Sequence, residues 1–157
     1  MTKKLLSAIS LALAFCLILS VCAIAAAPTV ISPSETGNST ASLVWVKRPA
    51  SGSATTTERN YTVTAAGLPG VDVTVFRRSS YDGNYYRVYQ GGYLLSGTIG
   101  PSGVYVVSIN LVEGGNKMLI FAENDNECQY IRIDITRLSQ SQIDQLNGLS
   151  IGDMVVR

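Results

Sequence analysis

Five tyrosines crowd one short stretch, Tyr81, Tyr85, Tyr86, Tyr89 and Tyr93, with Asn84 and Arg87 among them. A tyrosine offers a flat apolar ring for stacking, a polar tip that orients a partner, and few rotamers to freeze. The cluster therefore carries the chemistry of recognition, and its candidate binding residues are Tyr81, Tyr85, Tyr86, Arg87, Tyr89 and Tyr93. Bond-breaking chemistry has much less to draw on. The 157 residues include no histidine, which removes the commonest general base and the activator of a serine or cysteine nucleophile. Zinc would lack both imidazoles and a thiolate cluster. The run from Gly97 to Gly103 has neither the lysine nor the strand–helix setting of a phosphate cradle. Among 11 carboxylates no pair stands out for glycoside hydrolysis. The expectation is a chain with no catalytic residues and no cofactor.

Two further groups invite a chemical reading. Glu123-Asn124-Asp125-Asn126-Glu127 places acidic and amide oxygens close together, as calcium requires. The segment is too short for a full ligand set, and Asn and Asp are ordinary turn residues, so no metal site is expected. Cys128 is the one cysteine outside the first 27 residues. It has no internal disulfide partner there and reads as an apolar thiol at the start of a strand.

The elements that hold these residues begin after an export signal. Lys3 and Lys4 precede an apolar run from Leu5 to Ala27, which ends in Ala25-Ala26-Ala27 before Pro28. That is the pattern of a signal peptide over residues 1–27, with cleavage favoured over retention as an anchor. The expected localisation is secreted or cell envelope, with no membrane insertion after cleavage. Without the two lysines, the formal charge of +1 becomes −1, which does not suit a nucleic-acid partner. Residues 28–42, rich in Ser, Thr and Pro, read as a flexible linker.

From Leu43 onward short apolar runs alternate with turn residues. Leu43 to Lys47, Tyr61 to Ala65, Val71 to Val75, Tyr85 to Leu95, Tyr105 to Leu111, Met118 to Ala122 and Ile131 to Ile135 keep a period of two. Gly67-Leu68-Pro69-Gly70, Glu113 to Asn116 and Asn124 to Asn126 separate them. About seven strands in one stretch of this size predict an all-β immunoglobulin-like sandwich over residues 43–137. Beyond it, Ser139 and Gln142 have capping-box spacing, so residues 138–157 read as a short helix, at 139–147, and an extended tail.

Alternation also sorts side chains by face. Tyr85, Arg87 and Tyr89 fall on one side, and Tyr86, Val88 and Gln90 on the other. With Met118, Ile120 and Ala122 turned inward, Leu119 and Phe121 must face outward beside Phe76 and Tyr130. Four large apolar groups on one outer face call for a cover. The helix and tail, through Ile143, Leu146, Leu149 and Ile151, are the expected cover, with a partner surface as the alternative.

The stretch from Val44 to Arg137 resembles bacterial immunoglobulin-like domains of secreted and cell-surface proteins. The matching residues are Lys47-Arg48-Pro49 at a strand end, Gly52 and Thr55-Thr56-Thr57-Glu58 before the second strand, and the Gly67 to Val75 turn and strand. Ser108 to Lys117 is similar to the family's turn before a central strand, and Ile131 to Thr136 matches the final strand. The sequence departs from the family at Asn124-Asp125-Asn126-Glu127 and in its tyrosine-rich middle. The resemblance implies a non-catalytic module for display, adhesion or protein interaction. The tyrosines add a second expectation, a small carbohydrate-binding module. Either way the partner is a protein or a glycan at the cell surface.

Overall fold

Val, Ile, Tyr and Thr, broken at intervals by Gly, Pro, Asn and Asp, are the residues of strands and tight turns. A computed structural model describes residues 27–148. Residues 1–26 of the expected signal peptide (1–27) and the tail residues Leu149 and Ile151 lie outside the described residues. The described strands are β1 (Val30–Ile31), β2 (Val44–Arg48), β3 (Ser53–Thr56), β4 (Asn60–Gly67), β5 (Asp72–Arg78), β6 (Tyr85–Arg87), β7 (Tyr89–Gln90), β8 (Tyr93–Leu94), β9 (Ser96–Thr98), β10 (Val104–Asn110), β11 (Gly114–Glu123) and β12 (Cys128–Arg137). One helix follows, α1 (Gln140–Gly148).

The larger sheet runs β1-β6-β5-β11-β12-β3, with β9 also beside β5, and the smaller runs β10-β4-β2. The pairs are antiparallel except β3 with β12, which is parallel. β7 and β8 form a separate hairpin. The two sheets meet through one apolar cluster. Val63 and Ala65 of β4 and Ile109 of β10 pack with Val73 and Val75 of β5, Met118 and Ile120 of β11, and Ile133 and Ile135 of β12. These are the inward residues that a period of two selects. Between β10 and β11 the chain turns about buried Asn116, whose carboxamide accepts from the Val112 amide at 3.0 Å and donates to the Val112 carbonyl at 2.8 Å.

The outer face of the larger sheet is apolar as well. Phe76 meets Phe121 edge-on with centroids 6.2 Å apart, and Phe121 lies 5.1 Å from Tyr130. Together with Leu119 these residues form a second cluster. The four residues expected to share an outer face do share it.

Among the described residues the cover of this face is the segment that precedes β2. Residues 28–42, anticipated as a flexible linker, form an ordered strap. β1 pairs with the β6 edge, Ile31 against Tyr85, and Ile31 is buried in the second cluster. A single 3-10 turn at Glu35–Gly37 follows, with Thr36 buried. At the far edge Thr40 exchanges backbone-level bonds with Cys128: its amide donates to the Cys128 carbonyl at 2.9 Å and its Oγ1 accepts from the Cys128 amide at 2.9 Å. Ser39 Oγ accepts from the Tyr130 amide at 3.0 Å. The strap thus crosses the sheet from β6 to β12 and fills the part of the β12 edge that β3 leaves unpaired. Its serines and threonines supply the oxygens an open edge needs, which composition alone reads as solvation. Among the described residues no side chain of α1 is part of this cluster, and Leu146 is exposed. α1 does carry the expected capping box, with the Ser139 amide on Gln142 Oε1 at 2.9 Å and the Gln142 amide on Ser139 Oγ at 3.3 Å.

Candidate functional site

β5 leaves the sheet core on Arg77 and Arg78, and the chain then reverses through Ser79 to Asn84 into β6. The Ser79 amide donates to the Asn84 carbonyl at 2.8 Å and Gly83 takes a positive φ of 77°, the left-handed geometry glycine adopts freely. Asp82 organises the reversal. It accepts from the Asn84 amide at 3.1 Å and from the Tyr86 phenol at 2.5 Å. These bonds, the Tyr86 phenol foremost, hold the Asp82 carboxyl down at about 2, and the same bond pushes the Tyr86 phenol up. Tyr86 is fixed by its tip and remains partly exposed.

After β6 the expected continuous strand breaks. Val88 is buried, its amide on the Val75 carbonyl at 2.9 Å, and the chain then rises into the β7–β8 hairpin. Gly91 and Gly92 both have positive φ, 61° and 85°, as a two-residue hairpin turn demands. Gln90 pins the hairpin to the free edge of β10: its Oε1 accepts from the Asn110 amide at 3.0 Å and its Nε2 donates to the Ser108 carbonyl at 3.4 Å. Tyr89 pairs with Leu94 and Gln90 with Tyr93, so Tyr89 and Tyr93 stand on opposite faces of the hairpin.

The five tyrosines therefore do not form one platform. Tyr81 is 98% exposed at the loop tip, Tyr93 80% on the hairpin, Tyr89 62% and Tyr86 42%. Tyr85, expected among the binding residues, is buried under the strap and offers no surface to a ligand. Arg87, also expected there, turns its guanidinium to the strap: Nε donates to the Pro28 carbonyl at 3.0 Å and Nη2 to the Ala27 carbonyl. Tyr86 and Tyr89 are brought together, across a cleft of about 300 Å³ lined by Arg77, Arg78, Ser79, Arg87 and Val88. Tyr81 and Tyr93 lie outside that lining.

Arg77 and Arg78 are the residues that sequence reasoning missed. Their signal was available: two arginines directly after the apolar run Val73 to Phe76, at the sheet end from which the Asp82-Gly83-Asn84 turn departs. Arg77 pairs with Tyr86 across β5 and β6, so the two side chains share a face. Burial lowers the guanidinium's pKa from its ordinary value.

Two other clefts carry charge. One, of about 250 Å³, sets Arg78, Lys117 and Arg132 around Asp134 beside Pro33 and Tyr85. The other, of about 310 Å³, includes Asp72 and Glu123, which oppose each other across β5 and β11. Burial first and Asp72 second push the Glu123 carboxyl up, against the pull of Arg87. The Asn124 to Glu127 segment is a hairpin turn in which Asn124 Oδ1 accepts from the Asn126 and Glu127 amides at 3.3 and 3.0 Å. Among the described residues no three His, Cys, Asp or Glu side chains converge as a metal site would need. Cys128 is a half-buried free thiol beside the second cluster. Among the described residues no helix is long and apolar enough to cross a membrane.

Compared with known proteins, the chain matches no family model and no curated protein.

Proposed function

We propose that the protein is an exported, non-catalytic immunoglobulin-like module that acts in adhesion or display at the cell envelope, with the tyrosine-rich end of its larger sheet as the binding surface. The strand order supports the immunoglobulin-like reading. β2-β4-β10 face β6-β5-β11-β12, and β3 joins the far edge parallel to the last strand, as the split first strand of such a domain does. Export rests on the residue pattern of the first 27 positions.

The observation that carries the binding role is the exposure of Tyr81, Tyr86, Tyr89 and Tyr93 on a hydrogen-bonded loop and hairpin, while of the chain's other tyrosines Tyr61, Tyr85 and Tyr105 are buried and Tyr130 is half-buried. Rigid, half-exposed aromatic rings on a braced scaffold favour a sugar or peptide ligand. Polysaccharide retention tests it. Affinity electrophoresis through immobilised glycans should retard the protein, and Tyr89→Ala should release it without lowering its melting temperature. Equal retardation of protein and variant would remove the tyrosine end from the account.

A protein partner is the second reading, and it has its own observation. On the outer face of the smaller sheet Trp45 and Val104 flank Ala66, with Val106 beside Thr64, and Trp45, Val104 and Val106 are all exposed. A stable interface built there would be disrupted by Trp45→Ser and not by Tyr89→Ala.

A further inference from the structure

The cleft between Tyr86 and Tyr89 is lined by Arg77, Arg78 and Arg87 and by no acid. Arg77 is half buried, and among the described residues its side-chain hydrogen bond runs from Nη2 to the Asn110 carbonyl, while its Nε is buried with no partner. Arg78 gives its Nε to the Gly83 carbonyl at 3.0 Å, and Arg87 is held by the Ala27 and Pro28 carbonyls. Arg78 also lines the Asp134 cleft and Arg87 also acts on Glu123, so of the three Arg77 is the cation left, among the described residues, with a carbonyl partner alone. Among the described residues the single ion pair is Arg137 with Glu113 at 3.8 Å, formed by neither wall of this cleft. Asp82 spends its carboxylate on the Tyr86 phenol and on Asn84 and makes no ion pair with Arg77. Buried or half-buried cations normally come with an acid, because an uncompensated charge out of water is costly. The Asp134 cleft has an acid among its lining residues, and the lining of this one has none.

We propose that this cleft binds an acidic sugar, a uronate-type ring whose carboxylate lies against Arg77 while its apolar face stacks on Tyr89. The inference rests on the tyrosine-end reading above and adds the ligand class. A planar guanidinium takes a carboxylate in a two-pronged geometry that a lysine does not reproduce. Because the Tyr86 hydroxyl is committed to Asp82, Tyr86 contributes its ring face, which suits a C–H-lined pyranose better than an acceptor-rich peptide backbone. The volume, about 300 Å³, is at the small end of ligand pockets and admits one ring with its neighbours running out to solvent. Beyond the first 27 residues the formal charge is −1, so unspecific attraction to polyanions has little to draw on.

The test uses polygalacturonate, alginate and hyaluronate, each beside its carboxyl-reduced form, which keeps the ring and loses the charge. The expected result is binding of at least one acidic polymer, with the reduced form weaker by roughly 10- to 100-fold, the worth of a charge-assisted contact. Tyr89→Ala should weaken the acidic polymer by about tenfold. Arg77→Gln should bring the acidic and reduced forms to equal affinity, and Arg77→Lys should restore part of the preference. Should Arg77→Gln fail to fold, the comparison of polymers on the unaltered protein and the exposed Tyr89→Ala variant still decide. Equal affinity for acidic and reduced forms overturns the anion inference and leaves the tyrosine end as a sugar site. Binding that Tyr89→Ala does not weaken, or no binding of any polymer, removes the tyrosine-end reading and this inference with it. Polyglutamate bound as tightly as the best uronate polymer overturns the sugar class.

Discussion

The strap over residues 28–42 and the tyrosine stretch from Tyr81 to Tyr93 invert what their compositions advertise. The strap is Ser, Thr and Pro with little to bury, yet Ile31 and Thr36 are buried and its oxygens fill the β12 edge. The tyrosine stretch is aromatic and alternates like a core strand, yet four of its five rings meet solvent. Partners decide the difference. The outer face of β5 and β11 is apolar, so any segment laid across it is drawn down. The exposed tyrosines lie at or past the sheet's apolar end, where Arg77 and Arg78 replace Val73 to Phe76 and no apolar cluster takes up their rings.

The comparison breaks most readily at the strap. Ile31→Ala should cost about 2–5 kcal/mol in urea unfolding, the usual range for a buried isoleucine, since Ile31 belongs to the second cluster. A loss below about 0.5 kcal/mol, the surface range, would mean the strap is not a structural cover. Next in size is the strap's polar anchor. The Arg132 guanidinium donates to Thr36 Oγ1, with Nε at 3.1 Å, and Thr36 Oγ1 donates to the Pro33 carbonyl at 2.7 Å. Thr36→Val should cost about 1 kcal/mol and should loosen proteolytic protection between Pro33 and Thr40 before the domain as a whole unfolds.

Smaller still is the effect of Glu123, whose carboxyl is pushed up by burial and by Asp72. A carboxyl raised in the folded state binds its proton more tightly there. Its ionisation therefore costs stability above the raised value, and the cost disappears as pH falls below the ordinary carboxylate range. Glu123→Gln should stabilise the protein by a few tenths of a kcal/mol at pH 7, given the group's partial exposure, and by nothing near pH 3. A variant equally stabilised at both pH values would contradict this sign. Smallest is the tyrosine end: Tyr93→Ala and Tyr81→Ala should leave stability within about 0.5 kcal/mol of the unaltered protein, because neither ring joins a buried cluster.

Alternation was enough to place Met118, Ile120 and Ala122 inward and Leu119 and Phe121 outward, since burial on both faces of β11 leaves the parity of the pattern intact. The central order, β11 between β5 and β12, came from the expected sandwich architecture and not from alternation, which says nothing of neighbours. β1, β3 and β9 were not, because two to four residues carry too little period to register. The strap escaped notice because its value lies in hydrogen bonds to Cys128 and Tyr130, some 88 to 91 positions away in sequence. At the site, the tyrosines were visible and their faces only in part: buried Val88 and the Gly91-Gly92 turn reset the register after Tyr86. The arginines were hidden because a cation in a sequence reads as solvated until the absence of an acid around it is seen in space.

The central claim is that the tyrosine end, and not the outer face of the smaller sheet, is the binding surface. Backbone amide NMR during titration with a uronate oligosaccharide tests it most directly. Shifts confined to Arg77, Arg78, Tyr86, Val88 and Tyr89, with Trp45, Val104 and Val106 unmoved, are the predicted result. Shifts centred on Trp45, Val104 and Val106, or none at the tyrosine end, would contradict it.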